Sequence, residues 1–454
     1  MKIALVFSLV LMLIGCVSAP RVQPVPDALL EASSVEKQTI TRAMPFWWLS
    51  LQDETLTELI EIGLRESPTT QIALARLAQA KTGIDIAEAN ALPSLLGLGS
   101  RQSRNTSRAN PDVRSSLGIL SFSWNANLWG KQSLVVNKAH SFENERWFEY
   151  QSVLLALSAD IAKTYFQIAA QQMSNKLLTD QLNVSEDLEE LIEFRFRLGQ
   201  ASANELYQQR ESTQTIAQLK IVGDTTLAKR EKRLDASLGR APDSSPRVKD
   251  ISLPSNLGMI STDEPRELIR HRADVRAAYA KLQQVAAAAG IRFTERLPSL
   301  QVSANLTSLA EIESTTEWLG YGFDLTIPVF SGGRLHSLEQ QSLEALEEER
   351  QHYFALWLAA LEEVDSLRHQ YQQQRKVIIA LESRVRLSRK ALDSARDRYI
   401  LGDQNYLEVL IALRRLQDTD RSLIAEQLRL VTLWVELAEA AGRPLCQDLK
   451  CSNS

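Results

Sequence analysis

Two stretches of this 454-residue chain, from about residue 132 to 198 and from about 335 to 400, contain neither proline nor glycine. A helix over either would extend roughly 100 Å at 1.5 Å per residue, far beyond the few turns of an ordinary globular helix. Heptad spacing supports the assignment. Ile378, Leu381, Val385, Leu392, Ala395 and Tyr399 recur on one stripe of the second stretch, and Leu177, Val184, Leu188, Leu191 and Leu198 on one stripe of the first. Such stripes predict core-forming seams, with the charges between them on solvated faces. Composition agrees: aromatics are only 6%, and Ala, Leu, Gln, Glu and Arg dominate long windows. The net charge of -5 points to no nucleic-acid partner.

Both stretches end in Leu-Gly, and the match extends further. FRLGQASANEL at 196–206 aligns with YILGDQNYLEV at 399–409, and LGRAP at 238–242 with AGRPL at 441–445; Gly199 and Gly402, like Gly239 and Gly442, are 203 positions apart. A constant offset over these landmarks indicates internal duplication. The chain then divides into residues 1–15 as a signal segment, 16–45 as an N-terminal linker, 46–240 and 262–443 as the two repeats, 241–261 as the connection between them, and 444–454 as a tail. Pro, Ser and Asp in the connection predict a surface position.

Each repeat holds the tetrapeptide Leu-Pro-Ser-Leu, at 92–95 and at 297–300. Proline ends a helical hydrogen-bond ladder and drives the residue before it toward extended backbone, so both sites predict a change from helix to strand. Period-two alternation follows the second, with Leu300, Val302, Ala304 and Leu306 apolar and Gln301, Ser303, Asn305 and Thr307 polar, and then Tyr321, Phe323, Leu325, Ile327 and Val329 apolar. The first repeat carries weaker equivalents around Leu96 and Leu98 and at Phe122, Trp124, Ala126 and Leu128, with RNTSRANPDVRSS as the loop between. Runs of about ten residues suit tilted membrane strands, and a half-buried soluble sheet is the alternative that pattern leaves open. Gly130 and the pair Gly332 and Gly333 free the backbone to leave the strands.

The first sixteen residues, MKIALVFSLVLMLIGC, place one Lys before an apolar run too short for a membrane helix, as in a secretory signal. Its end, Leu13-Ile14-Gly15-Cys16, resembles a bacterial lipobox, which implies lipid attachment at Cys16; Val17 in the next place implies delivery to the outer membrane. Cys446 and Cys451 near the C-terminus could pair in an oxidising compartment or remain two thiols.

Four strands cannot close a barrel in lipid, where each unpaired edge group costs several kcal/mol, so the chain must oligomerise. Two copies would give a filled eight-strand barrel, and three would give twelve strands with room for an opening. Several segments resemble the outer-membrane efflux proteins, the TolC-like family, in its lipoprotein branch similar to OprM and NodT. They are the WW pair followed by DETLTELIEIGLRESPTTQIALARL, RELIRHRADVRAAYAKLQQVAAAAGIRFTERLPSL, VFSGGR and YILGDQNYLEVL. One departure is Ala273, where that family usually has Pro.

The resemblance covers almost the whole mature chain and implies a mainly α protein with a membrane β part. A long antiparallel α-helical barrel would continue into a trimeric twelve-stranded β-barrel, with four strands from each chain. It implies a homotrimer in the outer membrane, held by lipid and extending into the periplasm. Its partners would be a periplasmic adaptor and an inner-membrane pump of resistance-nodulation-division type, with small molecules such as drugs as cargo and no cofactor. The docking tips would lie at Leu198, Gly199, Gln200, Leu401, Gly402 and Asp403, and an inner aperture at Glu408 and Tyr399, with Glu408 expected in the second turn of its helix and Glu205 as its counterpart in the first repeat. A duct for type I protein secretion and a lipid-tethered coiled-coil scaffold are the other readings. Catalysis finds no support, since His140, His271, His336, His352 and His369 are scattered without metal-ligand spacing.

Overall fold

The computed structural model describes residues 47–104, 113–242, 251–254, 257, 272–311 and 314–442. The sequence readings at Cys16, His271, Cys446 and Cys451 lie outside them.

A 3-10 turn at Trp47–Leu51 leads into α1 (Glu54–Glu66) and α2 (Pro68–Ala89). Asp53 caps α1 by accepting the Leu56 N–H at 2.9 Å. Pro68 opens α2 at the first helical position, where its missing N–H costs nothing. Strands β1 (Ser94–Arg104) and β2 (Val113–Ala126) follow, then α3 (Lys131–Arg197) and α4 (Ala203–Ser237). The second repeat gives α5 (Ala273–Thr294), β3 (Ser299–Ala310), β4 (Thr315–Thr326), α6 (Arg334–Ile400) and α7 (Tyr406–Ala441). Helices α3 and α6 are each 67 residues long. Both strand-opening serines sit directly after the Leu-Pro pairs, at Ser94 and Ser299. Helix α5 starts at Ala273 although the helix-favouring proline is absent.

The strands form one antiparallel sheet in the order β1-β2-β3-β4. Its central pairing joins the two repeats, with Trp124 opposite Val302 and Phe122 opposite Ala304. Leu128, Ile327 and Val329 lie beyond the strand ends, and the first hairpin loop is shorter than expected because β2 already begins at Val113.

The described residues divide into two compact units, one within Ala75–Phe148 and Arg276–Leu356, the other within Arg42–Leu74, Glu149–Val275 and Trp357–Ser454. Each draws on both repeats, and α3 and α6 contribute to both. The first unit holds the sheet, with the glycine backbone of α5 against Leu134 of α3 at Gly290 and Tyr279 packed on Tyr353. The second is built on a core in which Trp47, Trp48, Ile60, Ile161, Tyr165 and Trp434 are almost wholly buried. Trp47 stacks edge-on with Trp48 and tilted against Trp434, and its indole donates to Ser158 at 3.0 Å. Among the described residues only α3 contains a window long and apolar enough to cross a membrane, and 67% of that window is buried in the protein. That burial makes it core.

Two expectations need correction. The seam of α3 is Leu178, Gln181, Ser185, Leu188 and Ile192, while Val184, Leu191 and Leu198 are exposed. Two of the five inward positions are polar, which shifts the apolar count onto a neighbouring stripe. The connection between repeats is not purely surface, since Ile251, Leu253 and Leu257 pack against the core of the second unit.

Candidate functional site

Register assigns every strand residue to a face, because residues directly opposite in antiparallel strands share one side. Phe122, Ala304 and Tyr321 form one row with Leu95; Leu120, Leu306 and Leu319 form the next with Gly97; Trp124, Val302 and Phe323 form another. This face is apolar over four rows and largely exposed, with Tyr321 80% and Phe323 71% accessible. The other face carries Ser123, Ser303 and Gly322 in one row and Ser121, Asn305 and Gly320 in the next. Leu96 and Leu98 belong to this second face, contrary to expectation, because Leu95 is the residue paired with Phe122. Apolar residues of both parities in LLGLG conceal the true phase of β1. The outer edges of β1 and β4 have no partner strand among the described residues.

At the C-terminal ends of the long helices, two hairpins are built alike. Gly199 and Gly402 adopt φ of 72° and 78°, a left-handed conformation that glycine tolerates. The amides after them reach back five residues, Gln200 to Arg195 at 2.8 Å and Asp403 to Arg398 at 2.9 Å. Both hairpins thus carry the Schellman ending of a helix. Ser202 and Asn405 then cap the returning helices, accepting from the amides of Glu205 at 3.2 Å and Glu408 at 3.3 Å. Glu408 therefore lies in the first turn of α7, not the second, at the position where a carboxylate complements the positive helix end. The spacing Ser202-x-x-Glu205 and Asn405-x-x-Glu408 is the signal that could have shown this.

Tyr399 and Tyr406 meet edge-on at 5.8 Å between centroids, inside a cluster with Ile192, Leu206, Val409 and Leu410. The guanidinium of Arg195 lies 4.6 Å from the centre of the Tyr399 ring. Burial raises the Tyr399 hydroxyl above its ordinary value, with Arg195 opposing and Glu205 adding. Tyr406 rises for the same first cause, and its hydroxyl donates to Gln209, which in turn donates to the Ser185 carbonyl at 2.7 Å. Glu205 is half-buried and its charge acts on both tyrosine hydroxyls, whereas Glu408 is exposed. The expected tip residues Leu198, Gly199, Gln200, Leu401, Gly402 and Asp403 are also exposed, Leu401 at 82%. Sequence reasoning missed Arg195, Tyr406 and Gln209, buried or half-buried partners that no motif marks.

The family model described as outer membrane efflux protein matches residues 59–240 and 265–443. This chain belongs to that family. It is 25% identical over 452 residues to nodulation protein T of Rhizobium leguminosarum bv. trifolii, covering 94% of this chain and 93% of that one. Against the pyoverdine export outer membrane protein OpmQ of Pseudomonas putida the identity is 27% over 418 residues, with 87% of each covered. Among solved structures, the outer membrane protein VceC of Vibrio cholerae superimposes with a TM-score of 0.79 at 24% identity, covering 88% of this chain and 99% of that one. The outer-membrane channel OprN gives a TM-score of 0.81 at 20% identity, with 88% and 93% covered. The long helices and four-stranded sheet of this efflux protein are therefore the fold that VceC and OprN share.

Proposed function

We propose that three copies of this efflux protein close their sheets into one twelve-stranded barrel, with the apolar face on lipid and the polar face lining the pore. The barrel is the exit duct of a tripartite assembly that passes small molecules outward from an inner-membrane pump of resistance-nodulation-division type through a periplasmic adaptor. The observation that carries this reading is the sheet itself: one apolar exposed face, one polar face, and two edges that would be left unpaired in hydrocarbon. The adaptor docks on the glycine turns at Gly199 and Gly402, Glu408 lines the inner aperture, Tyr399 belongs to its closed-state network, and a lipid on Cys16 secures the chain to the outer membrane. Exposure of the tips and of Glu408 supports these assignments.

Cysteine pairs test closure. One cysteine is placed on β1 between positions 95 and 99 and one on β4 between 318 and 323. At the correct register, oxidation should yield a trimer-sized band on non-reducing gels of outer membranes. Absence of any such band across the panel, together with release of a Cys16→Ser variant as a water-soluble protein, would place the sheet outside the membrane.

A further inference from the structure

The polar face of the sheet is not polar throughout. From the helix end toward the hairpin loops, its rows run Asn125, Gln301 and Asp324; then Ser94, Ser123, Ser303 and Gly322; then Leu96, Ser121, Asn305 and Gly320. In the next row Leu98, Ile119 and Trp318 flank Thr307, and in the one after it Leu117 and Leu309 lie between Ser100 and Thr316. Large apolar side chains thus take over where the lower rows carry mostly serine, asparagine and glycine. The opposite face changes in the reverse sense at the same height, where Gly99, Gly118, Ser308 and Glu317 share a row and Arg101 pairs with Ser116 in the next. A belt meant for lipid would stay on the lipid side. This one crosses to the inside as the outside turns polar.

Leu98 is 56% and Trp318 50% exposed, and Leu117, Ile119 and Leu309 are partly exposed, so the described residues leave the belt open. What faces the belt is therefore the content of the pore. From this we infer that Leu98, Leu117, Ile119, Leu309 and Trp318 form an apolar collar inside the outer mouth that binds the alkyl or aryl part of small amphiphilic cargo. The proposal rests on the assignment of the polar face to the lumen. Apolar surface lining an aqueous passage holds water weakly, and a ligand gains affinity with each methylene it buries there. Cargo with an apolar segment would dwell at the collar, while wholly hydrophilic solutes pass without interacting.

The test uses single cysteines in otherwise cysteine-free protein that keeps only Cys16, in outer-membrane vesicles, labelled with a membrane-impermeant maleimide. Ile119→Cys and Ser121→Cys should label and Leu120→Cys should not, since residues 119 and 121 share the lumen face and 120 lies on lipid. Octyltrimethylammonium should slow labelling of the Ile119→Cys variant at least about tenfold more effectively than tetramethylammonium. Adding Leu117→Ser and Leu309→Ser should abolish that difference. Equal protection by both ammonium ions, with residue 121 still labelled, overturns the collar and leaves the duct intact. Failure of Ser121→Cys to label while Leu120→Cys labels overturns the lumen assignment, and the collar with it.

Discussion

The indole of Trp129 donates a 2.6 Å hydrogen bond to the carbonyl oxygen of Pro298, across 169 residues of chain. Trp129 follows the first strand pair, and Pro298 sits in the Leu-Pro-Ser-Leu turn of the second repeat. A companion bond joins Trp124 to the Ala91 carbonyl at 3.2 Å, just before the first such turn. Each proline turn leaves carbonyls that neither helix nor strand satisfies, and the two indoles supply the missing donors. Trp129→Phe keeps the ring and removes the donor. It should lower stability by about 0.5–1.5 kcal/mol, read as a reduced dissociation temperature of the assembled protein in detergent, while Trp129→Ala should cost more.

Asp53 serves two partners. One carboxylate oxygen caps α1 through the Leu56 amide and the other accepts the Tyr165 hydroxyl at 2.7 Å. Asp53→Ala removes a cap worth about 0.5–2 kcal/mol and strands a largely buried hydroxyl at about 1–3 kcal/mol. Asp53→Asn keeps an acceptor for one partner and should fall between wild type and Ala in thermal unfolding.

At the start of α5, Arg272 donates to Asp274 at 2.7 and 3.0 Å, to Glu363 at 2.6 Å and to the Ala440 carbonyl at 3.3 Å. Burial pushes the Asp274 carboxyl up, but Arg272 and the Val275 amide outweigh it and hold the group below its ordinary value of 3.8. A native carboxyl that binds its proton less readily than the unfolded one stabilises the fold above the ordinary value, and that contribution is lost as pH falls through the lower native value. Asp274→Asn should therefore reduce stability at pH 7 and flatten its decline below about pH 4. Acid titration followed by near-ultraviolet circular dichroism checks both features. Arg272→Ala removes the cationic partner of both Asp274 and Glu363 and should be destabilising, by less than the about 3–5 kcal/mol of a fully buried pair because both carboxylates are partly exposed.

Ala273 occupies the first position of α5, where proline is well tolerated. Ala273→Pro should leave the fold intact and raise stability by about 0.4–1 kcal/mol through the unfolded chain. A drop in the unfolding midpoint would mean that the nearly buried site cannot take the ring.

For the aperture, conductance of the purified protein in planar bilayers separates the two equivalent glutamates. Exposed Glu408 should govern permeation, so Glu408→Ala reduces cation preference and block by divalent cations. Glu205→Ala should instead disturb the tyrosine pair and act mainly on stability. Equal selectivity changes in both variants would contradict this division.

Much of the architecture was legible because backbone chemistry punctuates the chain: proline marks both strand starts and glycine both hairpin turns. The α6 seam was read correctly because Ile378, Leu381, Val385, Leu392, Ala395 and Tyr399 all lie on its inward or partly inward side. On α3 the same reasoning slipped, since Gln181 and Ser185 are buried and hydrogen-bonded there, and a hydrophobic count passes over such positions. Leu95, Leu96 and Leu98 similarly carry no phase information until Phe122 is seen opposite Leu95. The Arg195–Tyr399 contact joins helices from different repeats, and such pairing is a property of packing that local pattern does not encode.

The open edges of β1 and β4 carry a genetic consequence. A copy whose β1 edge is damaged can still offer a sound β4 to its neighbour, enter the ring and leave it unsealed. With damaged and intact copies made in equal amounts, only about one ring in eight of a three-copy closure would be free of the defect. Edge lesions in this protein should therefore behave as dominant, suppressing export in cells that still carry an intact gene, whereas lesions that unfold the second unit should remain recessive.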